Sequence, residues 1–142
     1  MKIIDTHLHL WDTALLQYPW LQEVPAINKT FLIEDYQQAT AGYDIEKMVF
    51  VQCECLPAQT LSEMTFGKSQ GSKDNRIAGA VAYAPLEKGI VAEPVLHELS
   101  LNPMVKSVRR MNGDAPGLCL EPDFLASMHL LLKYNFSCDV TI

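Results

Sequence analysis

Apolar residues recur along this chain in two rhythms. Short clusters rich in Val, Ile and aromatic residues, several bounded by Pro, Gly or Asn, predict strands over Lys2 to Thr6, Lys47 to Gln52, Ile77 to Tyr83, Val105 to Arg109 and Phe136 to Thr141. Between them, spacing near 3.6 predicts helices over Ile33 to Thr40, Pro57 to Ser69, Ala92 to Leu101 and Pro122 to Tyr134. The last is the clearest: Phe124, Leu125, Met128, Leu131 and Leu132 share a helical stripe, and Pro122 suits a first turn. The second runs into Gly67-Lys-Ser-Gln-Gly71, where each glycine costs about 1 kcal/mol relative to alanine, so a short or frayed helix is expected there.

Strands and helices therefore alternate strictly. Each connection is long enough for a helix and none resembles a two-residue hairpin, which implies parallel strands with helical crossovers. A doubly wound sheet and a (β/α)8 barrel both satisfy that pattern. The chain lacks the G-x-G-x-x-G and Walker patterns that a nucleotide-binding doubly wound sheet would carry, which favours the barrel. Strand starts lie roughly 33 residues apart, so eight units would need roughly 260 residues. The expected fold is α/β, of the (β/α)8 TIM-barrel type, with about five of eight strands present. Residues 1–142 are read as the N-terminal part of a single barrel domain, truncated before the last strands. Ending at Asp139-Val-Thr-Ile142, within or just after a strand, the chain is expected to self-associate through its exposed strand edges.

A net charge of -6 offers no basic stripe for a phosphate backbone, which argues against nucleic acid as a partner. No apolar stretch approaches the roughly 18 residues of a membrane span, and no signal sequence precedes the first strand; a cytoplasmic address and no membrane are expected. Cys53, Cys55, Cys119 and Cys138 have neither zinc-module spacing nor the density of a disulfide scaffold, and read as reduced, mostly buried hydrophobes.

Chemistry concentrates at the predicted strand ends. In Ile4-Asp-Thr-His-Leu-His-Leu10, alternation puts Asp5, His7 and His9 on one face, at the C-terminal end of strand one, where barrel active sites are built. Two imidazoles there can ligate a metal such as zinc or polarise a substrate oxygen. His97 and His129 fall on outer helices and read as surface residues. In strand four, Arg109 shares a face with Val105 and Ser107 and would present a fork of donors to a carboxylate or hydroxy-acid oxygen, whereas Arg110 suits a salt bridge. Gln52 and Glu54 share a face near the end of strand two, with Gln52 a candidate donor to substrate. The loop Trp11 to Trp20 is rich in aromatics; Trp20 is a candidate wall for a sugar-like ring, with packing over the barrel mouth as the alternative. Asp139 and Thr141 are candidates to face the interior, Asp139 more as a buried structural carboxylate than as a catalyst.

The ordered set Ile4-Asp-Thr-His-Leu-His-Leu-Trp-Asp12, Tyr18-Pro-Trp-Leu21, Val49-Phe-Val-Gln52, Arg76-Ile-Ala-Gly-Ala-Val-Ala-Tyr-Ala-Pro-Leu-Glu87, Val105-Lys-Ser-Val-Arg-Arg110 and Phe136-Ser-Cys-Asp139 resembles the amidohydrolase-2 branch of the amidohydrolase superfamily. Within it, the resemblance is to sugar-acid lactonases of the L-fuconolactonase and L-rhamnonolactonase type. It implies a distorted (β/α)8 barrel that hydrolyses a small-molecule lactone to the hydroxy acid by activated water. His7 and His9 match the strand-one histidines and Arg109 the substrate-facing arginine of strand four. Members of the branch differ in metal dependence, so zinc and metal-independent hydrolysis both stay open. Ser107 stands where the family commonly has glycine. The resemblance places the water-activating aspartate beyond Ile142, so the truncated chain alone is expected to be inactive. The rival reading is a non-catalytic half-barrel acting as an assembly or binding module.

Overall fold

The computed structural model describes residues 1–111, 113, 115 and 117–140. Five strands, β1 Lys2–Leu8, β2 Asp44–Val51, β3 Ile77–Tyr83, β4 Val105–Arg110 and β5 Ser137–Val140, alternate with four helices, α1 Ile33–Ala39, α2 Thr60–Lys73, α3 Glu93–Ser100 and α4 Pro122–Tyr134. The strands lie in one sheet in the order β1-β2-β3-β4-β5, and the β1–β2 and β4–β5 pairs are parallel. Sequential order without reversal separates the two candidate architectures: a doubly wound sheet changes direction at a switch point, whereas a barrel adds each strand beside the last. The winding is that of five strands of a (β/α)8 barrel. Thr141, expected at the end of β5, lies outside the described residues.

Two compact units make up the chain, the first from Met1 to Ala80 and the second from Val81 onward. The first unit is built on β1, β2, α1 and α2, with Leu8, Leu10, Ile33, Met48, Phe50, Val51 and Met64 buried. β2 hides residues on both faces, as expected of a strand covered by helices on one side and lining an interior on the other. α2 departs from expectation, running unbroken through Gly67 and Gly71 to Lys73. Gly67 lies against the Phe50 ring, and a Cβ there would sit 2.6 Å from Phe50 Cδ1. The helical propensity lost at Gly67 is thus offset by close approach of the backbone to a buried ring. Gln70, also buried, accepts a hydrogen bond from the Ile33 N–H at 3.2 Å and so ties α2 to the start of α1.

In the second unit, α3 buries Leu96 and Leu99, and α4 buries Phe124, Ser127 and Leu131 at helical spacing. Leu125 and Leu132, expected in the same stripe, are instead solvent-exposed, because each sits one residue, about 100° of rotation, off the line that packs. Asn135 ends α4 in the left-handed conformation (φ 55), with its N–H directed to the Leu131 and Leu132 carbonyls. His97 and His129 are exposed on α3 and α4. No helix among the described residues is long and apolar enough to cross a membrane.

Candidate active site

β1 extends to Leu8, two residues beyond the expected end, so His7 lies inside the strand rather than after it. Simple alternation also fails there. Asp5 pairs with Met48 and Leu8 with Phe50, so three steps along β1 match two along β2, a bulge that contains Thr6 and His7. Asp5 supports this irregularity: one carboxylate oxygen accepts the His7 backbone N–H at 3.0 Å, and the other accepts the Tyr36 hydroxyl at 2.7 Å. Burial, followed by the hydrogen bond to Asp5, pushes the Tyr36 hydroxyl up to about 12, so it remains a donor throughout the neutral range.

Despite the bulge, the two imidazoles converge. His7 Nε2 and His9 Nε2 are 3.0 Å apart, with the rings edge-on at 82°. His9 Nδ1 is 3.0 Å from the Val51 carbonyl, an acceptor only, so Nδ1 carries a proton, and in the neutral ring the Nε2 lone pair points toward His7. In that state His7 Nε2–H donates to His9 Nε2. Two nitrogens on one tetrahedral zinc lie about 3.3 Å apart, given Zn–N distances near 2.0–2.1 Å, so the pair needs little movement to serve as two ligands of one ion. The Val51 carbonyl behind His9 is the kind of outer partner that fixes a ligating tautomer. Among the described residues no group of three or more His, Cys, Asp or Glu is placed to hold a metal, so the histidines fit as part of such a site.

The end of β2 is held from several directions. The buried Gln52 donates through Nε2 to Glu54 Oε1 and accepts the Glu54 N–H on its own Oε1. The Cys53 N–H donates to Oε1 of the fully buried Glu63 at 2.8 Å, and its carbonyl accepts the Trp20 indole N–H at 2.8 Å. Cys53 Sγ lies 3.5 Å from His9 Nδ1 and 3.3 Å from the Leu10 carbonyl. Trp20 therefore fastens the loop after β1 onto the end of β2. It packs edge-on to Trp11 at 5.8 Å, and Trp11 in turn meets Phe31 at 5.1 Å. Burial raises the Cys55 thiol to about 12 and, with Asp139 adding to it, the Cys138 thiol to about 11, which leaves both protonated and unreactive. None of the four cysteines forms a disulfide.

Within the second unit, Arg109 is buried at 8% exposure near the end of β4 and pairs in register with Asp139. The Ser107 hydroxyl donates to Asp139 Oδ1 at 2.6 Å, so this serine bridges β4 to β5. Arg110 takes the salt bridge expected of it, with Nε 2.8 Å from Glu87 Oε2 and the guanidinium 5.9 Å above the Tyr83 ring.

The chain's likenesses agree with this winding. No family model matches it. Over 102 residues it is 32% identical to the uncharacterized protein y4mH of Sinorhizobium fredii, a stretch covering 66% of this chain and 34% of that protein. An amidohydrolase of Burkholderia multivorans solved with bound zinc superposes with a TM-score of 0.73 at 20% identity, over 98% of this chain and 48% of that one. An amidohydrolase 2 from Bifidobacterium longum subsp. infantis gives 0.68 at 17% identity, over 97% and 50%. A probable 2-pyrone-4,6-dicarboxylic acid hydrolase of Acinetobacter baumannii, with citric acid bound, gives 0.67 at 13% identity, over 99% and 49%. The fold is that of half of a (β/α)8 barrel. This chain spans about a third of the curated relative's length and about half of each solved chain. At these identities the solved structures establish the fold, and the chemistry has to be argued from the residues.

Alternation places Asp5 on the histidine face, but its work is to hold the bulge. Tyr36 and Glu63 have no signal in the sequence: Tyr36 acts from α1 on β1, and Glu63 acts from α2 on the turn that follows β2.

Proposed function

We propose that this chain carries the β1 histidine site of a hydrolase that directs water at the carbonyl of a sugar-acid lactone of the L-fuconolactone or L-rhamnonolactone type. The observation that carries this reading is the pair of convergent Nε2 atoms at the C-terminal end of β1, with the His9 tautomer fixed by the Val51 carbonyl. His7 and His9 would hold a divalent metal through Nε2, and a bound zinc would supply Lewis-acid polarisation and a more acidic water. Without a metal, His7 Nε2–H would turn from His9 Nε2 to donate to a carbonyl oxygen as negative charge develops on it. Arg109 would bind a substrate oxygen, and Trp20 would form one wall of the pocket. Solved relatives described as amidohydrolases, one with zinc, support a hydrolytic reading.

The test is acid release from a panel of sugar lactones by the protein expressed from its complete coding sequence. Hydrolysis that His7→Ala and His9→Ala each abolish is expected. Inertness toward every lactone would sink the substrate assignment, and full activity in both variants would sink the site.

A further inference from the structure

Glu54 adopts a backbone conformation that glutamate seldom takes. Its φ of 56 lies in the left-handed region; the only other described non-glycine residue there is Asn135, which caps a helix. Such a conformation persists where the surroundings over-determine it, and here they do. Gln52 grips both the Glu54 N–H and its Oε1, Glu63 holds the Cys53 N–H, and Trp20 holds the Cys53 carbonyl. A turn alone would be met more easily by glycine or asparagine, and neither would need a buried glutamine to hold its side chain.

The result is a half-buried carboxylate with one oxygen anchored, while Oε2 makes no hydrogen bond among the described residues. It stands just past Val51, whose carbonyl fixes His9. An ionised carboxylate accepts hydrogen bonds and donates none, so what suits it is a ligand rich in hydroxyl groups.

We infer that Glu54 is a specificity-determining residue of the histidine site, accepting hydroxyl hydrogens of a polyhydroxylated substrate through Oε2 while Gln52 and the left-handed turn hold it in place. This rests on the hydrolase reading above and deepens it, because it separates sugar lactones from lactones without hydroxyl groups.

Glu54→Gln tests it cleanly. The variant keeps an oxygen for Gln52 Nε2 and the N–H for Gln52 Oε1, so a purely structural role would be preserved. Expected are an unchanged melting temperature, kcat/KM for L-fuconolactone lowered about 10- to 100-fold, as for loss of hydrogen bonds to a charged group, and an unchanged value for δ-valerolactone. A preserved ratio between the two lactones overturns the inference, as does an equal loss on both accompanied by a lower melting temperature. If the wild type hydrolyses neither, the hydrolase reading fails, and tryptophan fluorescence titrated with L-fucose decides the rest. Saturable binding weakened in Glu54→Gln supports the hydroxyl site; absent or unaltered binding overturns it.

Discussion

The backbone N–H of His7 is held by the side chain of Asp5, two residues earlier, at 3.0 Å, while the same carboxylate takes the Tyr36 hydroxyl at 2.7 Å. A bulge strips a strand of regular ladder bonds, and a carboxylate that satisfies the displaced N–H makes the irregularity a fixed feature. The direction of the His7 ring depends on that bulge, so the histidine pair is positioned from α1 as well as from β1.

Tyr36→Phe removes the anchor and leaves the ring. It is expected to lower stability by about 1 kcal/mol, the usual net worth of one such bond, and to leave the secondary structure intact. Asp5→Ala should cost more, because the His7 N–H loses its acceptor as well. Urea denaturation of the two variants checks the order; equal losses would mean that the His7 contact contributes nothing.

Gly67→Ala sets helix propensity against packing. Alanine favours a helix interior by about 1 kcal/mol, yet its Cβ would stand 2.6 Å from a carbon of the buried Phe50 ring. Overpacking of this kind costs about 1–3 kcal/mol, so a net loss of stability is expected. A thermal melt at or above the wild-type midpoint would show that the ring yields freely.

These cases mark what was legible in the sequence. Strand identity and order were, because Val- and Ile-rich runs such as Ile77–Tyr83 announce themselves locally and helical connections leave few topologies. The histidines were legible as a pair. The bulge was not, since register is a property of β1 against β2, and Asp5 reads as one more residue on the histidine face. Nor was the persistence of α2, which depends on Phe50 seventeen residues away from Gly67. The turn at Glu54 was hidden for the same reason: Gln52, Glu63 and Trp20 impose it from three separate segments.

Tyr18 has a buried hydroxyl with no hydrogen-bond partner among the described residues, and burial, with the nearby Glu63 carboxylate adding to it, raises its pKa. A buried polar group left unpaired costs about 1–3 kcal/mol. Tyr18→Phe is therefore expected to raise the midpoint of thermal unfolding. A fall would reveal a partner, such as a trapped water, that the hydroxyl serves.

Asp74 governs part of the acid response. Its carboxylate receives the Arg76 guanidinium at 2.6 Å and the Gln37 amide at 2.8 Å, and these hold its pKa well below the ordinary carboxylate range, Arg76 contributing most. The folded pKa is depressed, so the native state binds fewer protons than the unfolded chain. The contribution is complete above the unfolded value, about 3.9, and is lost as pH falls toward the folded one. Asp74→Asn should be less stable than wild type at pH 7, with the gap narrowing as pH falls below 4. A gap that stays constant from pH 7 to 2.5 would remove Asp74 from the acid transition.

The histidine pair makes the last prediction, concerning this 142-residue chain itself. Two Nε2 atoms 3.0 Å apart are well placed for one ion, but catalytic zinc ordinarily takes three protein ligands and a water, and among the described residues no third His, Cys, Asp or Glu is placed to ligate an ion together with the pair. Zinc binding should therefore be weak. His7→Ala and His9→Ala should each abolish what binding there is. Calorimetry is the measurement. Tight, stoichiometric uptake that is lost in both variants would show that the chain supplies a third ligand, whereas uptake unaffected by either would place the metal elsewhere on the molecule.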